Sequence, residues 1–272
     1  MRDLRDRVAV VTGAGSGLGR ALALRLAEEG CHLALTDVVA ERLADVAQQV
    51  EGLGCRATTH VFDVAKRGAW PDVVADVRSA HGGVQLLINN AGVSLAGPFS
   101  SCSLDDLEWQ LGINLYGVLY GCHAFLPHLL QQQEARIVNV SSIFGIVSVP
   151  DNSAYCMAKH AVRSLSESLW LELADTSVGV TWVHPGAIAT RIVEDGRRSG
   201  ARMTKEASRQ LIASGWSPDR AANVIVAGIR RGRRRIIVGP GASRLAMLQQ
   251  FFPVGYLDTV LRTWRGRFTA TS

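Results

Sequence analysis

The chain has 272 residues, 47% hydrophobic and 19% charged, with a formal net charge of +5. That length can bury the core of one large α/β domain, and the apolar content excludes a disordered chain. No run of about 18 uncharged apolar residues occurs, so no membrane-spanning helix is expected.

The charged start, Met1-Arg-Asp-Leu-Arg-Asp-Arg7, lacks a secretory pattern. Cys31, Cys55, Cys102, Cys122 and Cys156 form no Cys-x-x-Cys pair and read as buried thiols of a reducing, cytoplasmic compartment. Much of the positive charge sits in Arg230–Arg235, with Arg191, Arg197, Arg198 and Arg202 adding to it. Arginines at a helix C-terminus complement its dipole, whereas a nucleic-acid platform interleaves aromatics, and none interrupts this run. No nucleic-acid partner is expected.

In chain order, the apolar run Val8–Thr12 meets Gly13-Ala-Gly-Ser-Gly-Leu-Gly19, then a helical pattern through Leu22 and Leu26 stops at Gly30. A second apolar run, His32–Thr36, ends at Asp37, and helical periodicity follows over Ala40–Val50. Ala57–Phe62, Val84–Ile88, Arg136–Val140, Val178–Val183 and Arg235–Val238 read as further strands. Helices are expected near Ala69–Ala80, over Ser153–Leu173, and over Leu104–Leu130 with breaks at Gly112 and Pro127. Residues 187–216 are polar and read as a mobile lid. The alternation predicts a Rossmann-like, doubly wound parallel sheet of about seven strands with helices on both faces. Residues 1–241 are expected to form this dinucleotide-binding and catalytic domain, and 242–272 an apolar helical extension.

Three stretches carry chemistry. Glycines at 13, 17 and 19 sit between a strand and a helix, where a close backbone and helix N–H groups receive a pyrophosphate. Asp37, at the end of the second strand, can accept hydrogen bonds from adenosine ribose hydroxyls and would repel a 2′-phosphate. Val38 and Ser16 bring no cation to that point, which favours NAD over NADP; equally, Asp37 can simply cap the following turn. Tyr155 and Lys159 are four positions apart and share a helix face. An ammonium beside a phenol lowers its pKa from about 10 toward working pH, as alcohol/ketone interconversion requires. Alone, such a pair is often idle surface.

The chain resembles the short-chain dehydrogenase/reductases from Arg7 to about Val238. The resemblance rests on Thr12-Gly-Ala-Gly-Ser-Gly-Leu-Gly19, Asp63-Val64, Asn89-Asn-Ala-Gly92, Asn114, Ser142, Tyr155-x-x-x-Lys159 and Pro185-Gly-Ala-Ile-Ala-Thr190, in that order. It implies Tyr155 as acid/base, Lys159 as its activator and ribose ligand, Ser142 (rather than Ser141) on the substrate oxygen, and Asn114 on a relay water. Asn114 beside Gly112 also reads as a helix kink. Cofactor contacts are implied at Gly13, Ser16, Gly17, Leu18, Gly19, Asp63, Val64, Asn90, Ala91, Gly92, Pro185, Gly186, Ile188 and Thr190, with B-side hydride transfer. No metal is expected, and the dispersed histidines read as structural or surface residues.

The likeness thins after Gly241. The apolar tail from Ala242 to Phe268 resembles the hydroxysteroid- and retinoid-dehydrogenase-like branches, which implies a lipophilic alcohol or ketone. Core or subunit packing is the preferred reading of this tail over contact with a membrane surface. A homodimer through the Leu104–Leu130 and Ser153–Leu173 helices is expected, or a homotetramer. The alternatives are an NADPH-dependent reductase of ketones or β-oxoacyl thioesters, and a non-catalytic NAD-binding regulator.

Overall fold

The computed structural model describes the backbone of residues 1–269 and the side chains of residues 1–265. The first half runs β1 (Val8–Thr12), α1 (Gly17–Glu28), β2 (His32–Asp37), α2 (Ala40–Gly52), β3 (Ala57–Val61), α3 (Trp70–His81), β4 (Leu86–Asn89) and β5 (Leu95–Ala96). Next come α4 (Leu104–Leu111), α5 (Gly117–Leu129), β6 (Ala135–Val140), α6 (Ser153–Glu172) and β7 (Val178–Pro185). The chain continues through β8 (Arg197–Arg198), α7 (Lys205–Ala213), α8 (Pro218–Arg230), β9 (Arg235–Val238), α9 (Ala242–Phe251) and α10 (Tyr256–Thr269). The final three positions of the expected 242–272 extension lie outside the described residues.

Seven strands form one parallel sheet in the order β3-β2-β1-β4-β6-β7-β9. Its inner strands β1, β4 and β6 are buried on both faces because helices cover both, whereas the edge strand β3 stays partly exposed. On one face α1, α2 and α8 pack Leu22, Leu26, Leu43, Ile225 and Ile229 over Leu35, Leu86 and Ile88. On the other, α3, α5 and α6 pack Trp70, Val77, Phe125 and Val162 over Val10, Leu87 and Ile137. Adjacent Leu86 and Leu87 thus serve opposite layers, as the two-residue period of a strand requires. The strand order reverses between β1 and β4, which opens the crevice at the carboxyl ends of the sheet where ligands of such folds sit.

A buried polar ladder crosses the middle of the sheet. Asn89 Nδ2 donates to Asn139 Oδ1 at 2.9 Å, Asn139 Nδ2 to Ser166 Oγ at 3.0 Å, and Ser166 Oγ to the Val162 carbonyl at 2.7 Å. The ladder ties β4 and β6 to α6, the helix that carries Tyr155 and Lys159.

Three expectations are corrected. Pro127 lies inside α5 instead of breaking it; proline costs the turn one N–H donor, and the helix continues for two more residues. The 187–216 segment carries regular structure where a loop is expected: residues 191–193 form a 3₁₀ turn, and Thr204 caps α7 by accepting from Ala207 N at 3.1 Å. Its Arg197 and Arg198 pair with Leu95 and Ala96, a two-residue ribbon too short to show periodicity. Cys102 is only half-buried, unlike the other four cysteines. The arginines of the basic cluster stay exposed at and after the end of α8, as expected of a solvated helix C-terminus, with Arg230 Nη1 bridging Glu29 at 3.0 Å and the Arg234 guanidinium 3.8 Å over the Trp170 ring.

Candidate active site

At the carboxyl end of β1 the chain turns through the glycines into α1. A Cβ on Gly19 would collide with the Gly13 carbonyl oxygen, so only glycine lets the helix start this close to the strand. Ser16, the residue before α1, makes no side-chain capping bond, and the first turn holds no acid. Its amide groups and positive dipole end are therefore free to meet a phosphate, as a dinucleotide requires. Leu18 is buried in the core under the turn, and across the cleft Thr190 closes on Gly17 within 3.1 Å of where a Cβ would stand.

Asn90 fixes the floor of this cleft. Its Nδ2 donates to the Thr12 carbonyl at 2.9 Å, while Thr12 Oγ1 accepts from Asn90 N and Ala91 N at 2.9 and 3.0 Å. A Cβ on Gly92 would lie 3.2 Å from Asn114 Oδ1 and 3.5 Å from Lys159 Nζ. The bare glycine leaves a cradle between the amide and the ammonium.

Asp37 serves the turn as well as facing it. One carboxylate oxygen accepts from Gly15 N at 3.0 Å, the other from Val38 N and Val39 N at 2.8 and 3.2 Å. Asp63 Oδ1 accepts from Ala65 N at 2.9 Å, and the Val64 carbonyl takes the Trp70 indole N–H at 3.0 Å. Sequence spacing missed Arg42: a Cβ on Gly15 would lie 2.9 Å from the Arg42 Cβ, and the Arg42 guanidinium reaches Asp195 at 3.3 Å, 153 positions away. Nothing local signals that bridge.

The helix turn before α5 is a π-turn over Gly112–Tyr116. It gives the expected kink, and such one-turn bulges are frequent at functional sites. Buried Asn114 clamps Val93 with both amide atoms, accepting from Val93 N and donating to Val93 O at 2.8 Å each. This two-atom clamp holds the Asn114 side chain against the Val93 backbone.

Tyr155 and Lys159 lie on the first two turns of α6. Lys159 is buried, its Nζ donating to the Val140 carbonyl at 2.9 Å and standing 5.8 Å from the centre of the Tyr155 ring. Ser141 donates its hydroxyl to the Lys159 carbonyl at 2.7 Å, which commits that serine to holding the helix. Ser142 Oγ instead accepts from Phe144 N at 3.1 Å and donates toward the Pro185 carbonyl at 3.5 Å. Phe144 packs edge-on against Tyr155 with centroids 6.2 Å apart.

The electrostatics correct one expectation. Burial pushes the Tyr155 phenol up to about 12, a shift that the hydrogen bond with Ser142 only partly offsets. The same burial lowers Lys159 to about 8. Desolvation of both groups outweighs the activating field of the ammonium across this distance.

Pro185 and Gly186 finish the site from β7, where Gly186 N donates to the Val238 carbonyl at 2.7 Å. Ile188 is buried and bridges to Trp216, closing the base of the lid. The structure thus brings Asn114, Ser142, Tyr155 and Lys159 to one wall of the crevice and the glycine turn to the other.

Residues 7–200 match the family described as short chain dehydrogenase. The chain belongs to that family. As a short-chain dehydrogenase, it is an NAD(P)-dependent oxidoreductase. SadH of Mycobacterium tuberculosis, which carries the name of an oxidoreductase, is 38% identical over 266 residues, covering 94% of either chain. A Burkholderia phymatum member of the family, solved with NAD, superposes with a TM-score of 0.86 at 32% identity, over 92% of this dehydrogenase and 95% of that chain. A Streptomyces avermitilis short-chain dehydrogenase gives 0.81 at 29% identity over 98% of both.

Proposed function

We propose that this short-chain dehydrogenase interconverts a lipophilic secondary alcohol and its ketone using NAD(H), with Tyr155 as the acid/base. The observation that carries this reading is the meeting of Ser142, Tyr155 and Lys159 beside the Gly92 cradle, opposite the glycine turn. When bound, the nicotinamide supplies or accepts the hydride. The Ser142 hydroxyl holds the substrate oxygen, and Tyr155 takes its proton in oxidation or returns one in reduction. Lys159 keeps a positive charge near the phenol and binds the ribose beside Gly92. The proton exits past the π-turn, with Asn114 holding the relay. Pro185, Gly186, Ile188 and Thr190 orient the carboxamide, and Asp63, Val64, Ala91 and Asn90 line the adenine and central parts of the cleft.

NAD is preferred in this reading because the Asp37 carboxylate stands at the ribose position and Arg42, the nearest cation found there, is engaged by Asp195. The Burkholderia relative was solved with NAD, in keeping with it. NADP is the alternative, reached if Arg42 turns from Asp195 to a 2′-phosphate. The substrate wall is apolar: Ile143, Ile146 and Val147 are buried next to Phe144, and the α9–α10 pair roofs them with Leu245, Leu248, Tyr256 and Val260. This roof supports steroid- or retinoid-like alcohols over small polar ones.

The protein is read as a cytoplasmic homodimer. Its α4–α5 stretch exposes Leu104, Tyr116 and Leu119, and α6 exposes Met157 and Leu171, apolar faces that a second copy would cover. The test is formation of NADH or NADPH by the purified enzyme over aliphatic, steroid and retinoid-like alcohols, with fluorescence titration of both reduced cofactors. Turnover of apolar alcohols with NAD supports the proposal. Tight NADH binding without turnover of any alcohol would instead favour a regulator, and tighter NADPH binding a reductase.

A further inference from the structure

The C-terminal helices have two contrasting faces. On α9, Ala242 and Ala246 turn inward with Leu245 and Leu248 to pack on Ile143, Ile146 and Val147. Arg244, Met247 and Phe251 recur at spacings of three and four on the outward side and are exposed. The connecting turn adds Phe252 and Val254, 60% and 73% exposed. On α10, Tyr256, Val260 and Trp264 face the protein, while Leu257 and Leu261, a turn apart, are exposed. At 100° per residue, Arg265 and then Arg262 border that pair on the side away from the buried face.

We propose that this outer face docks on an anionic lipid bilayer, seating its apolar tip in the interface while the catalytic domain stays in water. Such a surface needs an apolar stripe rimmed by cations. Residues 242–265 carry Arg244, Arg262 and Arg265 against the single acid Asp258, a net charge of +2. All three arginines are exposed. The same charge argues against a second copy as the occupant, since a two-fold interface would gather both sets of arginines in one desolvated patch. Among the described residues no helix is long and apolar enough to cross a membrane, so the contact is peripheral. Phe251, the last residue of α9, and Phe252 beside Pro253 present large exposed apolar area at the end of the helix. The inference goes beyond the proposed catalysis and does not depend on it, because docking is expected whatever the site turns over.

The experiment is sedimentation of the intact protein with vesicles of phosphatidylcholine alone and of an equal mixture of phosphatidylcholine and phosphatidylglycerol. At low salt the mixed vesicles are expected to bind about tenfold more protein, and added salt to remove the difference. The pair Phe251→Ser and Phe252→Ser, and separately the pair Arg262→Glu and Arg265→Glu, are each expected to cut binding about tenfold. Thermal unfolding and NADH titration establish that each variant is folded; should the serine pair unfold, the glutamate pair decides. Equal binding to the two vesicle types, or unchanged binding by a folded variant, overturns the proposal. So does a fall in solution mass by light scattering in the serine variant, which would show that a second copy covers the face.

Discussion

His184 Nδ1 donates a hydrogen bond of 2.7 Å to the backbone carbonyl of Ser142. The last paired residues of β6 and β7 are Val140 and Val183, so Ser142 lies just past the ladder and a side chain takes over where backbone pairing stops. The carbonyl can only accept, which fixes the proton on Nδ1. His184 is fully buried and holds the Ser142 backbone, a structural role of the kind the sequence suggests for the dispersed histidines.

His184→Ala removes that donor and leaves a buried carbonyl unpaired. A stability loss of about 1–3 kcal/mol is expected, with turnover falling about tenfold through misplacement of Ser142. NADH affinity should change little. His184→Asn, which keeps a donor, should recover part of the turnover. Denaturant titration and separate kcat and KM values check this.

Acid should unfold the protein in a defined window. Burial lowers both His184 and His81 to about 4 from an ordinary 6.5. As pH falls below 6.5 the unfolded chain gains protons that the fold refuses, so stability is full above 6.5 and declines until about pH 4. For His184, which is fully buried, the shift corresponds to about 3 kcal/mol. Denaturation midpoints across this range should show the decline, and His184→Asn should flatten it.

Tyr155→Phe keeps the edge-on contact with Phe144 and removes the transferable proton. Turnover should drop by several orders of magnitude with NADH affinity nearly intact. In the wild type, a phenol at about 12 is mostly protonated at neutral pH, so alcohol oxidation should quicken as pH rises. The gain should level off above about 8, where Lys159 gives up its charge. Ketone reduction should run the other way. Initial rates in both directions against pH provide the check.

Asp37→Ala frees three amide donors, Gly15, Val38 and Val39, and removes a negative charge from the ribose position. NAD affinity should fall about tenfold and the NAD/NADP preference narrow by more. Adding Asp195→Ala releases Arg42 and should improve NADP further. Reduced-cofactor titration of the single and double variants measures both effects.

What sequence revealed of this molecule was what spacing encodes. The glycine turn, Asp37 at a strand end and Tyr155 one turn from Lys159 are local patterns, and the family motifs order them. The break at Gly112 is legible in the sequence, but its form, a π-turn over Gly112–Tyr116, is not. The Arg42–Asp195 bridge and the Ser142–His184 bond join distant segments, and no periodicity reports on them. The upward shift of Tyr155 depends on how deeply the phenol is buried, a property of the packed cleft and not of Lys159 four residues on.

The Asn89–Asn139–Ser166 ladder works as a key for assembly. Parallel strands of interchangeable valines, leucines and isoleucines would tolerate several alignments, since each slip still buries apolar surface. Here a slip of β6 along β4 would strand two amides in a dry layer, each without its partner. One alignment alone pairs Asn89 Nδ2 with Asn139 and Asn139 Nδ2 with Ser166, and because Ser166 belongs to α6, the same alignment sets the height of Tyr155 above the sheet.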